Sequence, residues 1–590
     1  MVAVLVAAII PVSSALADCG SAPLAHHPVS LSLFPPISTN GSQAGNVSTN
    51  LSLNILGGYV GELRGFELGT IFNVEAYNAG WLQLAGGVNV VGVGSSCCGM
   101  SSCGSASGAM PYYGVSQGCG VASETRLWGD FTGLQLALLG NIVLRNARGV
   151  QLAAVNVTKG RAYGLQLGAV NYGGRWATVQ LGGANLSCGG AGFQLGLFNL
   201  ARGQVTVAQI GGVNLAGDDV PVQLGAINAT GGSAAVQLGG INAARHNTGF
   251  TLGGVNYAGG DNGVALGAVN VAGGSSIFQF GGIDVAGGDV GVQLGAINAT
   301  GGSAGVQIGG FNAARHNTSF TLGGVNLGGG DNEVGVGAIN LVRGSTKLQF
   351  GGVNVAGGQP REPAVNEFGL RYGDQVCGVS SDVSSDLQFG LFNLAGGSIG
   401  AQIGAVNIAD DVRAFQFGAF NFARTNDVAI GPLNVILNGQ FRVCLFASEA
   451  PLAGFELKTG GRYFYNVLSF GYQPVDTTRV MFGYGVGGHF PCICPKFFVD
   501  ADLVGYRVNP MDDMMNLSGM SYLAKVRATA GWEIAPRFSI TGGLAANVWI
   551  SDKEDGSKVP FVSMPMYKSA GSTNIAIWPG VSIGLECRVI

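Results

Sequence analysis

Five histidines, eleven cysteines and a recurring Gly-Gly-Asp are the residues with which this chain could do chemistry. His246 and His316 suit a metal ion by type, yet 70 residues separate them. His26-His27 is a pair with no third ligand nearby. Asp261 and Asp331 each follow two glycines, as in calcium-binding rolls. Such rolls repeat the Asp in every turn, whereas the equivalent positions here hold Ser233, His246 or Ser275. Cys97, Cys98, Cys103 and Cys119 share a Ser/Gly-rich stretch without histidine, and Cys492-Ile493-Cys494 has only His489 beside it. Disulfides or free thiols fit those groups better than a metal. The many G-x-G-x-x-G matches follow from glycine content and lack a βαβ setting. No Ser/His/Asp or Cys/His grouping recurs and the carboxylates are scattered, so the chain reads as non-enzymatic, with no cofactor and no metal site.

Composition narrows the class. Glycine supplies 103 of 590 residues and charged residues only 11%, against averages of about 7% and about 25%. A mean hydropathy of +0.35 excludes a disordered chain, and 19 prolines without a Gly at every third position exclude collagen. Lys+Arg 29 against Asp+Glu 33 gives net −4 with no basic run, which argues against a nucleic-acid partner. The apolar run Val2–Ile10 stops at Pro11, short of the ~20 residues of a spanning helix. With Ala15-Leu16-Ala17 before Asp18 it reads instead as an export signal over 1–17, although the basic start is missing. Asp18 makes a poor lipobox for Cys19.

The elements that must carry these residues follow a fourteen-residue clock. From Val222 the chain reads VQLGAIN, then VQLGGIN, FTLGGVN, VALGAVN and FQFGGID, and continues through LQFGGVN at Leu348. The closing residue falls at Asn228, Asn242, Asn256, Asn270, Asp284, Asn298, Asn312, Asn326, Asn340 and Asn354, every step 14. A second clock of 70 residues brings Asn228–Ser233 back at Asn298–Ser303, and Ala244–Thr248 back at Ala314–Thr318. Duplication of a five-unit block is how a stack grows, because each unit touches only its neighbours. Degenerate copies run from Phe66 to Val428.

This spacing predicts an all-β chain: a β-solenoid over 60–438, after an N-terminal β segment over 18–59. Insertions at 95–125 and 357–386 project from it as loops. Val222 and Leu224 alternate with Gln223, which predicts an apolar face turned inward. Gly225 is read as a bend, Ile227 as a return to the core, and Gly231-Gly232 as a second turn with positive φ. Stacked coils ~4.8 Å apart put the Asn228-type residues into a structural amide ladder. Thirteen coils make a rod of roughly 60 Å, and five coils hold His246 and His316 about 24 Å apart. The alternative architecture is one large antiparallel β-meander or barrel.

Past Asn438 the clock stops. Tyr522, Ala524, Val526, Ala528, Ala530 and Trp532 alternate with Leu523, Lys525, Arg527 and Thr529, and a turn at Ala535-Pro536 leads to a second such run from Phe538 to Ile550. Long strands with one apolar and one polar face predict a β-barrel-like module over 439–590, with about eight strands, the smallest usual membrane barrel. A soluble β-sandwich is the alternative.

The chain resembles a family of bacterial surface-repeat proteins of the Gly-Val-Gln-Leu-Gly-x-x-Asn type. His27–Gly41 followed by Leu51–Tyr59 looks like that family's opening segment, the repeats like its body, and Trp578–Gly584 like its closing strand. The resemblance implies a cell-envelope location in a bacterium with two membranes and no established activity. A weaker likeness is to the heads of trimeric autotransporter adhesins, although no heptad stalk is present.

Together these readings give an exported, structural or adhesive protein of the bacterial outer membrane or cell surface, displayed by its C-terminal module. Its expected partners are outer-membrane lipid and a host, glycan or cell-surface ligand. Contact residues are expected in the two insertions, at Tyr112, Tyr113, Arg361, Arg371 and Tyr372. The rival functions are a pore or transport barrel built from the repeats, and an exported carbohydrate-acting solenoid enzyme.

Overall fold

A computed structural model describes residues 24–94, 129–357, 384–474, 478–492, 496–513, 521–552, 567–569 and 573–589. The signal segment, Tyr112, Tyr113, Arg361, Arg371 and Tyr372 lie outside those residues. Two compact units divide the chain, Met1–Gly282 and Ile283–Ile590.

The first unit is a stack of β-coils. Val29–Phe34 pairs in parallel with Val47–Asn54, and that strand pairs in parallel with Glu62–Gly69. The solenoid therefore begins within the 18–59 segment that the sequence reading set apart. Gly225 bends the chain between Val220–Leu224 and Ile227–Thr230, and both strands find the equivalent residues of the next coil, with Gln223 beside Gln237 and Asn228 beside Asn242. Parallel pairing of this kind excludes a meander, whose neighbours run antiparallel.

The expected inside and outside are exchanged. Gln223 and Asn228 are fully buried, while Val222 and Leu224 are half-buried and Ile227 is exposed. The physical reason is the narrow interior. It has room for one flat amide per strand, and each amide finds an amide partner one coil away. Asn228 donates to Asn242 Oδ1 at 2.8 Å and to the Leu238 carbonyl at 2.9 Å. Gln237 donates to Gln223 Oε1 at 2.7 Å and to the Ala243 carbonyl at 3.1 Å. Every amide N–H so used replaces a bond to water, so burial of the polar group is compensated. The asparagine column donates toward the C-terminus and the glutamine column toward the N-terminus.

Glycine serves a purpose other than the expected positive φ, which neither Gly225 nor Gly231-Gly232 adopts. A Cβ on Gly239 would lie 1.9 Å from the Gly225 carbonyl oxygen and 2.6 Å from Asn228 Nδ2, so only glycine lets the ladder amide approach the backbone.

The second unit repeats this build and adds a barrel. Its coils include Val290–Thr300, Ala304–Ala314, Thr318–Gly328, Asn332–Val342 and Thr346–Ala356, each paired in parallel with the next. The array resumes at Ser384, inside the segment 357–386 assigned to the insertion, where Ser385 pairs with Thr346. Asn298, Asn312, Asn326, Asn340 and Asn354 form the ladder here.

Eight antiparallel strands follow: β1 Gln440–Ser448, β2 Ala453–Gly460, β3 Phe464–Gln473, β4 Arg479–Pro491, β5 Phe497–Pro510, β6 Ser521–Ala535, β7 Phe538–Ser551 and β8 Asn574–Arg588. β8 returns to β1, with Val443 opposite Cys587, and closes the barrel. A closed barrel is not the sandwich considered as the alternative. The last coil meets it directly: Val428 bridges Phe464, and Asn434 at the end of the ladder donates to the Thr459 carbonyl at 3.4 Å.

Candidate functional site

Alternation along the barrel strands points one side chain outward and the next into the lumen. On β6, Val526, Ala528 and Ala530 face out while Lys525, Arg527 and Thr529 are buried. On β1, Leu445 faces out between buried Cys444 and Phe446. Leu544 on β7 and Val581, Ile583 and Leu585 on β8 add to an apolar outer wall. The lumen holds the charge, the reverse of a water-soluble barrel.

At the centre of that lumen Asp500 and Asp502 of β5 stand between cations from three other strands. Arg442 Nη1 reaches Asp500 Oδ2 at 3.0 Å and Glu586 Oε1 at 2.6 Å. Lys458 Nζ lies 2.9 Å from Asp500 and 3.4 Å from Asp502. Arg527 donates through Nε to Asp502 at 2.7 Å and through both terminal nitrogens to Glu456 at 2.8 and 2.5 Å. Tyr465 donates to Asp502, and Arg442 lies over its ring at 5.0 Å. His489 Nδ1 is 2.7 Å from the other oxygen of Asp500. A second cluster joins Glu449 to Lys525 at 3.3 Å, to Asn547 at 2.8 Å and to the Val581 amide at 2.8 Å.

None of the charged side chains joined in these ion pairs, His489 apart, is more than 5% exposed. Together with buried Tyr506, Trp549 and Trp578 they fill the lumen. Each ion is paired and hydrogen-bonded, the condition under which a buried charge is tolerated. This arrangement braces eight strands across the lumen, with three cations, Arg442, Lys458 and Arg527, set among four carboxylates at its centre.

The coil residues that suggested chemistry have structural work. Asp261 and Asp331 each accept the backbone N–H of the residue one coil on, from Ser275 at 2.8 Å and Ser345 at 2.7 Å. Asn247 does the same for Asp261 at 2.9 Å. That position holds Asp, Asn or Ser, and where it is Asp or Asn the short side chain accepts the backbone N–H of the equivalent residue one coil on. His246 and His316 are exposed on the adjoining turns. Among the described residues no three His, Cys, Asp or Glu gather as a metal would need.

Sequence reasoning missed one feature of the first coils. Glu67 takes the place of the ladder glutamine, accepting from Asn54 at 2.9 Å and from Gln83 at 3.1 Å. Glu75 is buried beside it, and burial together with the Glu67 charge pushes its carboxyl well above the usual range. The signal available was a Glu where other copies have Gln. Comparisons with protein-family models, curated proteins and solved structures give no match.

Proposed function

We propose that this chain is a non-enzymatic structural protein of the bacterial outer membrane, in which the eight-strand barrel is the anchor and the solenoid is the body it holds. The inverted polarity of the barrel carries this reading. An apolar wall around a charged, paired lumen suits hydrocarbon outside and excludes it inside. The family likeness of the opening, repeat and closing segments belongs to the same proposal.

Connection lengths favour one side for the body. The coils join the barrel at the end that carries the connections 461–463, 492–496 and 536–537, while the other end carries 449–452, 474–478 and the two longest, 511–520 and 552–573. Outer-membrane barrels turn short connections to the periplasm and long ones outward. The body is accordingly assigned to the periplasmic side, where a structural role fits better than adhesion to a host. A pore built from the repeats is disfavoured by their parallel stacking into coils, and ion pairs fill the lumen of the separate barrel.

Fractionation of cells expressing the full chain, followed by gels of heated and unheated samples, tests the anchor. An outer-membrane band whose mobility changes on boiling is expected. A soluble band without a shift would overturn the reading.

A further inference from the structure

The coils of the second unit have two sharply different sides. Counting each coil from the residue before its glutamine position, as in Val292 to Gly305, places Gln293 at two and Asn298 at seven, both buried. Positions one, three, five, six and eight point outward. Between Asp289 and Ala356 the outward side chains at these positions are Val, Leu, Ile, Phe and Ala, with glycine the only other residue there. Ile297, Phe311, Leu322, Ile339 and Phe350 are 36–50% exposed. The exposed charges of the same coils, Asp289, Arg315, Asp331, Glu333, Arg343 and Lys347, all fall at positions ten to fourteen, on the opposite edge. An apolar surface of this extent marks a binding face.

Its form selects the occupant. Positions two and seven are buried while five and six both point outward, so the inward side chains change side between them; positions one and three lie before that shift and six and eight after it, and the outward apolar surface turns a convex corner there. The flat face of a second copy covers one side of such a wedge and leaves the other in water. A fluid bilayer covers both, and the charged edge remains in water, the arrangement by which amphipathic helices lie in a membrane interface. Outward Phe350 and Phe389 stack on adjacent coils at 5.1 Å, and this row leads toward the coil whose Val428 bridges the barrel. A bilayer that holds the apolar barrel wall is therefore within reach of the same unit.

We propose that the coils of the second unit lie on a lipid bilayer, with the apolar wedge in its interface and the charged turn edge in water. The proposal rests on the barrel being the membrane anchor, and its test separates the two.

The full chain is reconstituted into vesicles of phosphatidylethanolamine and phosphatidylglycerol that contain a lipid with a photoreactive diazirine in its acyl chain. After illumination, labelled residues are mapped by peptide mass spectrometry. Label is expected on the barrel wall near Leu544 and Ile583 and on the coils near Leu322, Ile339 and Phe350. The turn Arg315–Asn317 should carry about tenfold less, because hydrocarbon excludes charge. Phe350→Lys with Phe389→Lys, both outward and outside the amide ladders, should remove coil label while barrel label persists. Barrel label without coil label overturns this proposal and leaves the anchor standing, and cross-links between copies would then assign the wedge to a second chain. Absence of label from both overturns the anchor as well.

Discussion

Asn332 donates its side-chain amide to Thr321 Oγ1 at 3.0 Å, reaching into the column that glutamine fills in neighbouring coils. The column breaks at Thr321 and Gly335, and Gln307 Oε1 is left without a donor. The first unit repeats the device, with Asn262 reaching Thr251 at 3.5 Å beside Ala265. Where the ladder residue shrinks, an asparagine from the turn side fills the space. Thr321→Gln alone should therefore clash with Asn332 and destabilise the coils by about 1–3 kcal/mol. Combined with Asn332→Ala it should extend the column to Gln307 and recover most of that loss. A double-mutant cycle on urea unfolding in detergent measures the coupling, and strictly additive effects would refute it.

The exchanged core makes an unusual prediction about mutational sensitivity. Asn312 accepts from Asn298 at 2.7 Å and donates to Asn326 at 2.8 Å and to the Leu322 carbonyl at 3.0 Å. Asn312→Ala leaves these groups buried without partners and should cost about 3 kcal/mol or more. Phe311→Ala, one residue away and outward, should cost less than about 1 kcal/mol in detergent. The opposite ranking would restore an apolar interior.

Glu75 gives the first coils a pH dependence. Its folded carboxyl titrates above its ordinary value of 4.5, with burial the larger cause and Glu67 the next. The unfolded chain thus releases this proton at lower pH than the folded one. The stabilising contribution is full below pH 4.5 and is lost as pH rises through the raised folded value. Glu75→Gln should remove this slope and slow amide exchange in Phe72–Glu75 at neutral pH. Unchanged exchange across the range would show that Glu75 is ionised in both states.

Arg527 is the keystone of the lumen, joining Glu456 to Asp502. Arg527→Ala leaves Glu456 buried without a cation and Asp502 with Lys458 alone, at about 3–5 kcal/mol. The fraction of compact barrel on unheated gels should fall sharply. Arg527→Met with Glu456→Leu and Asp502→Leu should recover part of it, because an apolar cluster carries no unpaired charge. A full compact band for Arg527→Ala would show that the pairs do not hold the barrel.

Much of the architecture was legible in the sequence, while its inside was not. A strict repeat of 14 specifies identical coils, and the long alternating runs around Lys525 and Arg527 specify a barrel wall. Period-two alternation divides Val222 from Gln223 without saying which of them faces inward, and ordinary hydrophobic burial gives the wrong answer here. The usable signal was the constancy of Asn at one position, from Asn228 to Asn354 with Asp284 the one exception, where the residue before it varies among Ile, Val and Phe. The lumen partners were hidden for another reason: Arg442 meets Glu586 across 144 residues, and no local pattern encodes such a pair.

The opposed directions of the Asn and Gln columns have a consequence for growth. Peptide dipoles aligned head to tail, as in an α-helix, sum to partial charges at the two ends. Side-chain amides stacked one way for five coils would add their dipoles in the same manner. With Asn228 pointing one way and Gln237 the other, the two contributions oppose each other in every coil that carries both amides, and the ends gain less charge as units are added. A 70-residue block can thus be copied into such a stack with a smaller electrostatic penalty at either end than a single column of amides would carry.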